Sequence, residues 1–167
     1  MFVADTNILA SFAAARELKL LLKALSVERI FISPAVRHEI EMGLHHGARH
    51  LQEIMDRVET GAIRVLDLEP EDQERMTTLP FGFGAGEREG VALCSRYDAT
   101  LLSNDSQVRR YCKQHGIACL DLTRLLRLLW LKNVATQAHV KTMIVRMEKV
   151  EHLVLKEPER IFAPHVK

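Results

Sequence analysis

The chain of 167 residues reads as an α/β protein with a parallel sheet. Three observations give that class. Short apolar runs, Met1 to Ala4 and Thr100 to Leu102, end abruptly in the polar triplets Asp5-Thr6-Asn7 and Ser103-Asn104-Asp105, the pattern of a buried strand emptying into a helix N-terminus. Between such runs lie stretches whose apolar residues recur at helical spacing. The opening strand, helix and second strand make a β-α-β unit, which favours parallel pairing.

The elements come in this order. From Ile8 to Leu25 the residues Leu9, Phe12, Leu18, Leu21, Leu22 and Leu25 keep a helical spacing, and Arg29 to Ile32 is the second short strand. Ser33-Pro34 is a strong helix start, with Ser as N-cap and Pro where its missing N–H costs nothing. Glu39 falls at most about two turns into that helix. Gly43 and Gly47 punctuate its far end, before a helix over Ala48 to Thr60, a strand over Ile63 to Leu66 and a short acidic surface helix over Glu69 to Met76. Pro80 to Gly86 is the most glycine-rich stretch and reads as a loop. It delivers Glu87 to the first turn of a helix over Gly86 to Arg96.

After the Thr100 to Leu102 strand come a helix over Val108 to His115 stopped by Gly116, a core strand over Ile117 to Leu120 and an apolar helix over Leu122 to Leu131. Val140, Met143, Ile144, Met147 and Val150 form one stripe of a last helix. Its simplest reading is a face packed on the domain, with a homodimer surface next. The expected organisation is one domain over residues 1–150, that helix included, and a tail over residues 151–167, with Lys156 to Lys167 lying across the surface.

Composition excludes several classes. Forty-seven per cent hydrophobic and 27% charged residues describe a folding chain. Twenty-three basic against 22 acidic side chains, a formal charge of +1, give no global field for nucleic acid or membrane. Cys94, Cys112 and Cys119 lack C-x-x-C spacing, against a disulfide framework or a structural zinc site. The N-terminal run reaches an acid at its fifth residue and no apolar run approaches a membrane span, so a cytoplasmic protein is expected.

The chemistry lies in four separated acids. In an open α/β sheet the functional crevice sits beyond the C-terminal strand ends, where Asp5 and Asp105 both fall; Glu39 and Glu87, in early helical turns, can reach the same edge. Carboxylates brought together raise one another's pKa unless a cation neutralises them. Hard oxygen ligands select Mg²⁺ or Mn²⁺, and the chemistry implied is phosphodiester hydrolysis. Each acid also has a plainer role: Asp5 and Asp105 as helix caps, Glu87 as a first-turn anion, Glu39 as a solvated helix residue. Glu41 and Glu89 are near rivals.

These motifs together resemble the PIN-domain family over roughly Met1 to Asp121. That family opens with a strand ending in Asp-Thr-Asn, matched by Asp5-Thr6-Asn7. Its second acid lies on a helix beginning Ser or Thr and often Pro, matched by Ser33-Pro34 through Glu39. Gly86-Glu87-Arg88-Glu89-Gly90 looks like one branch's start for the third acid, and Ser103-Asn104-Asp105 like the fourth element. The resemblance implies a three-layer α/β/α fold and an Mg²⁺- or Mn²⁺-dependent ribonuclease, with Asp5, Glu39, Glu87 and Asp105 as catalytic metal ligands. It also implies supporting hydrogen bonds from Thr6, Asn7 and Ser103. The toxin branch adds an antitoxin protein and a homodimer as expected partners.

Arg109 and Arg110, with Lys113, are the candidate RNA-phosphate contacts beside Asp105; Arg37, Arg49 and Arg57 are a second basic group. His38, His45, His46 and His50 are interrupted by Gly43 and Gly47 and read as a solvated face rather than a zinc site. Phe81 and Phe83 read as core packing before base stacking. The rival functions are a haloacid-dehalogenase-like phosphatase, which needs a second Asp where Asn7 stands, and a PIN-like module that binds RNA or protein without cleaving.

Overall fold

The structure is a computed structural model that describes residues 1–155 and 158–163. The elements run β1 (Phe2–Ala4), α1 (Thr6–Ala14), α2 (Leu18–Leu25), β2 (Ile30–Ile32), α3 (Pro34–His45), a 3₁₀ turn (Arg49–Leu51), α4 (Gln52–Glu59), β3 (Ile63–Val65) and α5 (Pro70–Thr77). The second half adds α6 (Ala85–Tyr97), β4 (Thr100–Leu102), α7 (Ser106–Gln114), β5 (Cys119–Leu120), α8 (Leu122–Leu131), α9 (Gln137–Glu151) and α10 (Glu159–Phe162). Among the described residues the five strands form one sheet, ordered β3-β2-β1-β4-β5 and parallel throughout.

The sheet divides two cores because successive side chains of a strand point to opposite faces. Ala4, Ile30, Ile32 and Leu102 join the larger core under α1, α2, α8 and α9. Val3 and Leu101 turn to the smaller one, closed by α6 and α7. This is the expected three-layer α/β/α arrangement. The α9 stripe packs against α1 through Val140, Met143, Ile144 and Met147, while Val150 is exposed.

Several elements differ from the sequence reading. The stretch from Ile8 to Leu25 is two helices, broken where Arg16 takes a left-handed conformation (φ 61°) and the Glu17 N–H bonds back to the Phe12 carbonyl at 2.9 Å. No Gly or Pro marks that break, so periodicity alone runs through it. Helix α5 is anchored rather than purely superficial: Asp72 is buried, accepts the Glu69 N–H at 2.9 Å and meets the Arg96 guanidinium at 3.0 Å. The strand expected over Ile117 to Leu120 is only Cys119–Leu120, half-buried at the sheet edge.

The tail differs most. Leu155 and Ile161 are buried in the larger core, and the Trp130 indole N–H donates to the Ile161 carbonyl at 2.7 Å. Arg127 reaches the Arg160 carbonyl, also at 2.7 Å. Residues 158–163 are therefore docked against α8 rather than laid across the surface; for Lys156, Glu157 and residues 164–167 the surface expectation lies outside the described residues. Pro158 and the charged residues around it conceal an apolar anchor too short to show a period.

Ile161→Ala should lower the unfolding free energy by about 2 kcal/mol or more, the range for emptying a buried Ile site. Val154→Ala, at an exposed position, should stay within about 0.5 kcal/mol. Urea unfolding of both variants measures this, and an unmoved Ile161→Ala midpoint would contradict the docking.

Candidate functional site

The strand order places a topological switch at β1. The chain winds outward from β1 through β2 to β3, then returns to lay β4 on β1's other side. Crevices form at such points because the loops leaving adjacent strands diverge to opposite faces. The pairings Ala4↔Leu102 and Val3↔Phe31 carry the residues one and two steps on, Asp5, Ser103 and Ser33, to one level of that edge.

Asp5 is buried at the α1 N-terminus. One carboxylate oxygen accepts the Thr6 N–H at 2.7 Å and the other accepts from the Ser103 hydroxyl at 3.3 Å. The Ser103 Oγ in turn accepts the Asp105 N–H at 3.2 Å, so one serine links the residues carrying two acids. Asp105 caps α7 through Oδ1, which takes the Gln107 and Val108 N–H groups at 2.7 and 2.8 Å; Oδ2 is not used in the cap. Glu87, in the first turn of α6, accepts the Gly84 N–H at 2.8 Å. The plainer capping roles of these acids are real, and they leave the carboxylates at the crevice.

Glu39 comes from α3, whose start is fixed by the Ser33 hydroxyl accepting the Val36 N–H at 3.2 Å. Its carboxylate accepts from the Thr6 hydroxyl. Gly86 brings α6 against it: a Cβ there would lie 3.0 Å from a Val36 methyl and 3.2 Å from a Glu39 oxygen. The rivals are engaged elsewhere. Glu89 accepts the Ala35 N–H at 2.7 Å, tying α6 to the first turn of α3, and Glu41 pairs with Arg37 at 2.8 Å.

Electrostatics joins the four acids. Burial, then Glu87 and then Glu39, push the Asp5 carboxyl up to about 6, against the hydrogen bonds from Thr6 and Ser103. Glu87 is raised as well, by burial and by the charges of Asp105 and Glu39. The charges that act most on both groups are those of the other acids. No three described His, Cys, Asp or Glu side chains close on one point as a finished ion cage. The carboxylates instead act on one another through space, each keeping its own hydrogen bonds.

Other expected residues fall into place differently. Asn7 is exposed and lines a cleft of about 420 Å³ with Ser11, Asn104 and Asp105. Of the candidate phosphate contacts, Arg109 is ion-paired with Asp121, while Arg110 and Lys113 are exposed. Asp121 follows a strand and caps α8, accepting the Arg124 N–H at 2.8 Å. It repeats the signature of Asp5 and Asp105, and that repetition could have singled it out from sequence. It joins Arg109, Thr123 and Asp105 around an adjoining cleft of about 400 Å³. His38, His45 and His46 are exposed, and His50 meets Glu151 at 2.5 Å. Phe83 packs edge-on against Tyr111, but Phe81 does not pack.

The parallel sheet and its helices make a nuclease-like α/β fold, with Asp5, Glu39, Glu87 and Asp105 set near its switch point. Comparison with protein families is in accord: a family model described as PIN domain matches residues 1–157, and the chain belongs to that family. No curated protein matches it. No described helix is long and apolar enough to cross a membrane.

The raised Asp5 pKa gives a signed pH dependence. Below the ordinary value of 3.8 the group is protonated folded or unfolded. Between 3.8 and about 6 the folded chain keeps a proton that the unfolded chain has released, so stability falls as pH rises. At neutral pH without added metal the penalty is on the order of 3 kcal/mol. Asp5→Asn should therefore be more stable than the parent at pH 7, with the difference shrinking toward pH 4. Urea unfolding across that range tests it; a constant difference would refute the raised Asp5 pKa.

Proposed function

We propose that the chain is a metal-dependent ribonuclease that hydrolyses phosphodiester bonds of unpaired RNA. The observation behind this reading is the set of carboxylates, Asp5, Glu39, Glu87 and Asp105, whose charges, with burial, raise the pKa of Asp5 and Glu87. A site of hard anionic oxygens suits Mg²⁺ or Mn²⁺, and the four acids would hold it. When bound, such an ion supplies Lewis-acid activation of water and neutralises charge on the phosphate. In hydrolysis the water oxygen joins phosphorus, the P–O bond to the leaving ribose oxygen breaks, and a proton passes to that oxygen.

The chain's own residues supply position. Ser103 holds Asp5 and the Asp105 backbone in one geometry, and Thr6 orients Glu39. The N-termini of α1, α3, α6 and α7 meet at this edge and direct positive dipole ends toward it, where they also favour an anionic phosphate. A cytoplasmic toxin role with an antitoxin is the finer part of the proposal and rests on the motif resemblance.

Asp5→Asn, Glu39→Gln, Glu87→Gln and Asp105→Asn should each lower Mn²⁺-dependent cleavage of unpaired RNA by more than the roughly 10–100-fold of an outer contact, and Ser103→Ala should fall within that range. Glu41→Gln and Glu89→Gln should remain near the parent, since each can keep an oxygen acceptor. The parent's melting temperature should rise with added Mg²⁺ or Mn²⁺ as ligand linkage requires, and the Asp5→Asn, Asp105→Asn double variant should lose that rise. Absence of both cleavage and metal-dependent stabilisation would leave a non-cleaving module as the better reading.

A further inference from the structure

We propose that Phe81 is a stacking platform for an unpaired nucleobase of the strand held at the acidic crevice; the inference rests on the RNA reading above. Phe81 is 99% exposed, although its loop neighbour Phe83 is buried edge-on to Tyr111 with ring centroids 5.6 Å apart. A lone exposed apolar side chain is ordinary on a protein surface, so exposure alone carries nothing. The bracing and the position of this one set it apart.

The loop carrying Phe81 is braced from below. The Arg88 guanidinium donates to the Pro80 carbonyl at 3.0 Å, the Phe83 carbonyl at 3.1 Å and the Met76 carbonyl at 2.9 Å, fixing the backbone on both sides of the ring. Arg88 thus spends its donors on the loop rather than on a carboxylate. A backbone held this way loses little further freedom on binding, and preorganisation of that kind lowers the entropy lost in association.

The loop is also bonded to one of the acids and passes beside the helix that another acid caps. Gly84 donates its N–H to Glu87 at 2.8 Å. A Cβ on Gly82 would lie 3.5 Å from the Gln107 amide oxygen, and the Gln107 N–H bonds to Asp105 at 2.7 Å. Phe81 stands three residues before Gly84, so the chain path between them spans at most about 11 Å. A base next to a phosphate at the acids comes within reach of the ring. Stacking brings no charge, so it adds affinity beside carboxylates without contending with them, and it tolerates any base because each has a π face.

The test uses the full chain with an oligoadenylate of about 12 nucleotides, within the range of single-strand site sizes, and its duplex with oligouridylate. Phe81→Ala should weaken binding of the single strand roughly 5- to 150-fold, the equivalent of about 1–3 kcal/mol for one stacked base. KM should rise with it, while kcat and the melting temperature stay near the parent. Phe81→Trp should restore binding, and its indole fluorescence should be quenched by the single strand and not by the duplex. An unchanged single-strand affinity in Phe81→Ala, equal losses for strand and duplex, or an affected protein complex with RNA binding intact would each overturn the proposal. A parent that binds and quenches through Phe81→Trp but does not cleave would overturn the nuclease reading alone.

Discussion

The constraint on which the structure turns is the burial and mutual repulsion of carboxylates that the fold brings to one edge. Parallel strands deliver their C-terminal ends to the same side, so acids placed just after β1 and β4 cannot avoid each other. The fold offsets this with helix N-termini: Asp5, Glu87 and Asp105 each accept backbone N–H groups at the start of a helix. Such bonds favour the charged form, yet burial and neighbouring charge still hold Asp5 well above its ordinary value. Backbone dipoles compensate the site in part and leave a remainder that a divalent cation can meet.

Close packing of two helices brings two of the acids together. Glu39 arrives on α3 and Glu87 on α6, and these helices come together through Gly86 beneath Glu39 and through Glu89 capping the first turn of α3. Glu89 is thus the structural counterpart of Glu87, two positions away on the same helix and turned to the partner helix's backbone instead of the crevice. A spacing of two residues separates faces of a helix by about 200°, which is why neighbouring acids carry such different work.

The fold class and the placement of the acids were legible because strands ending in Asp, a Ser-Pro helix start and a Gly-Glu helix start are local signals with local physics. Features fixed by tertiary contact were not. The break at Arg16 contains no breaker residue, Ile161 anchors a segment rich in charge, and the Arg109–Asp121 pair joins two elements. Phe81 and Phe83 show the limit most clearly. Two residues apart, with glycines between and after, they give one signal in sequence and opposite environments in the fold, because Phe83 meets the smaller core and Tyr111 whereas Phe81 stands in solvent.

Charge pairing then bears on how a polyanion could be held. Arg109 faces Asp121, Arg37 faces Glu41, Arg96 faces Asp72, and Arg88 is taken up by backbone carbonyls. Cations in such pairs attract phosphate weakly, since each brings its own anion and must exchange one partner for another. With a formal charge of +1 over the whole chain, long-range attraction adds little. On the proposed function, affinity would rest on short-range sources at the crevice: the helix N-termini, a cation on the acids, contacts indifferent to charge, and the exposed Arg110 and Lys113 nearby. An unpaired strand can use all of these, because it can bend its phosphate inward and turn its bases outward, whereas a duplex keeps its bases stacked within the helix.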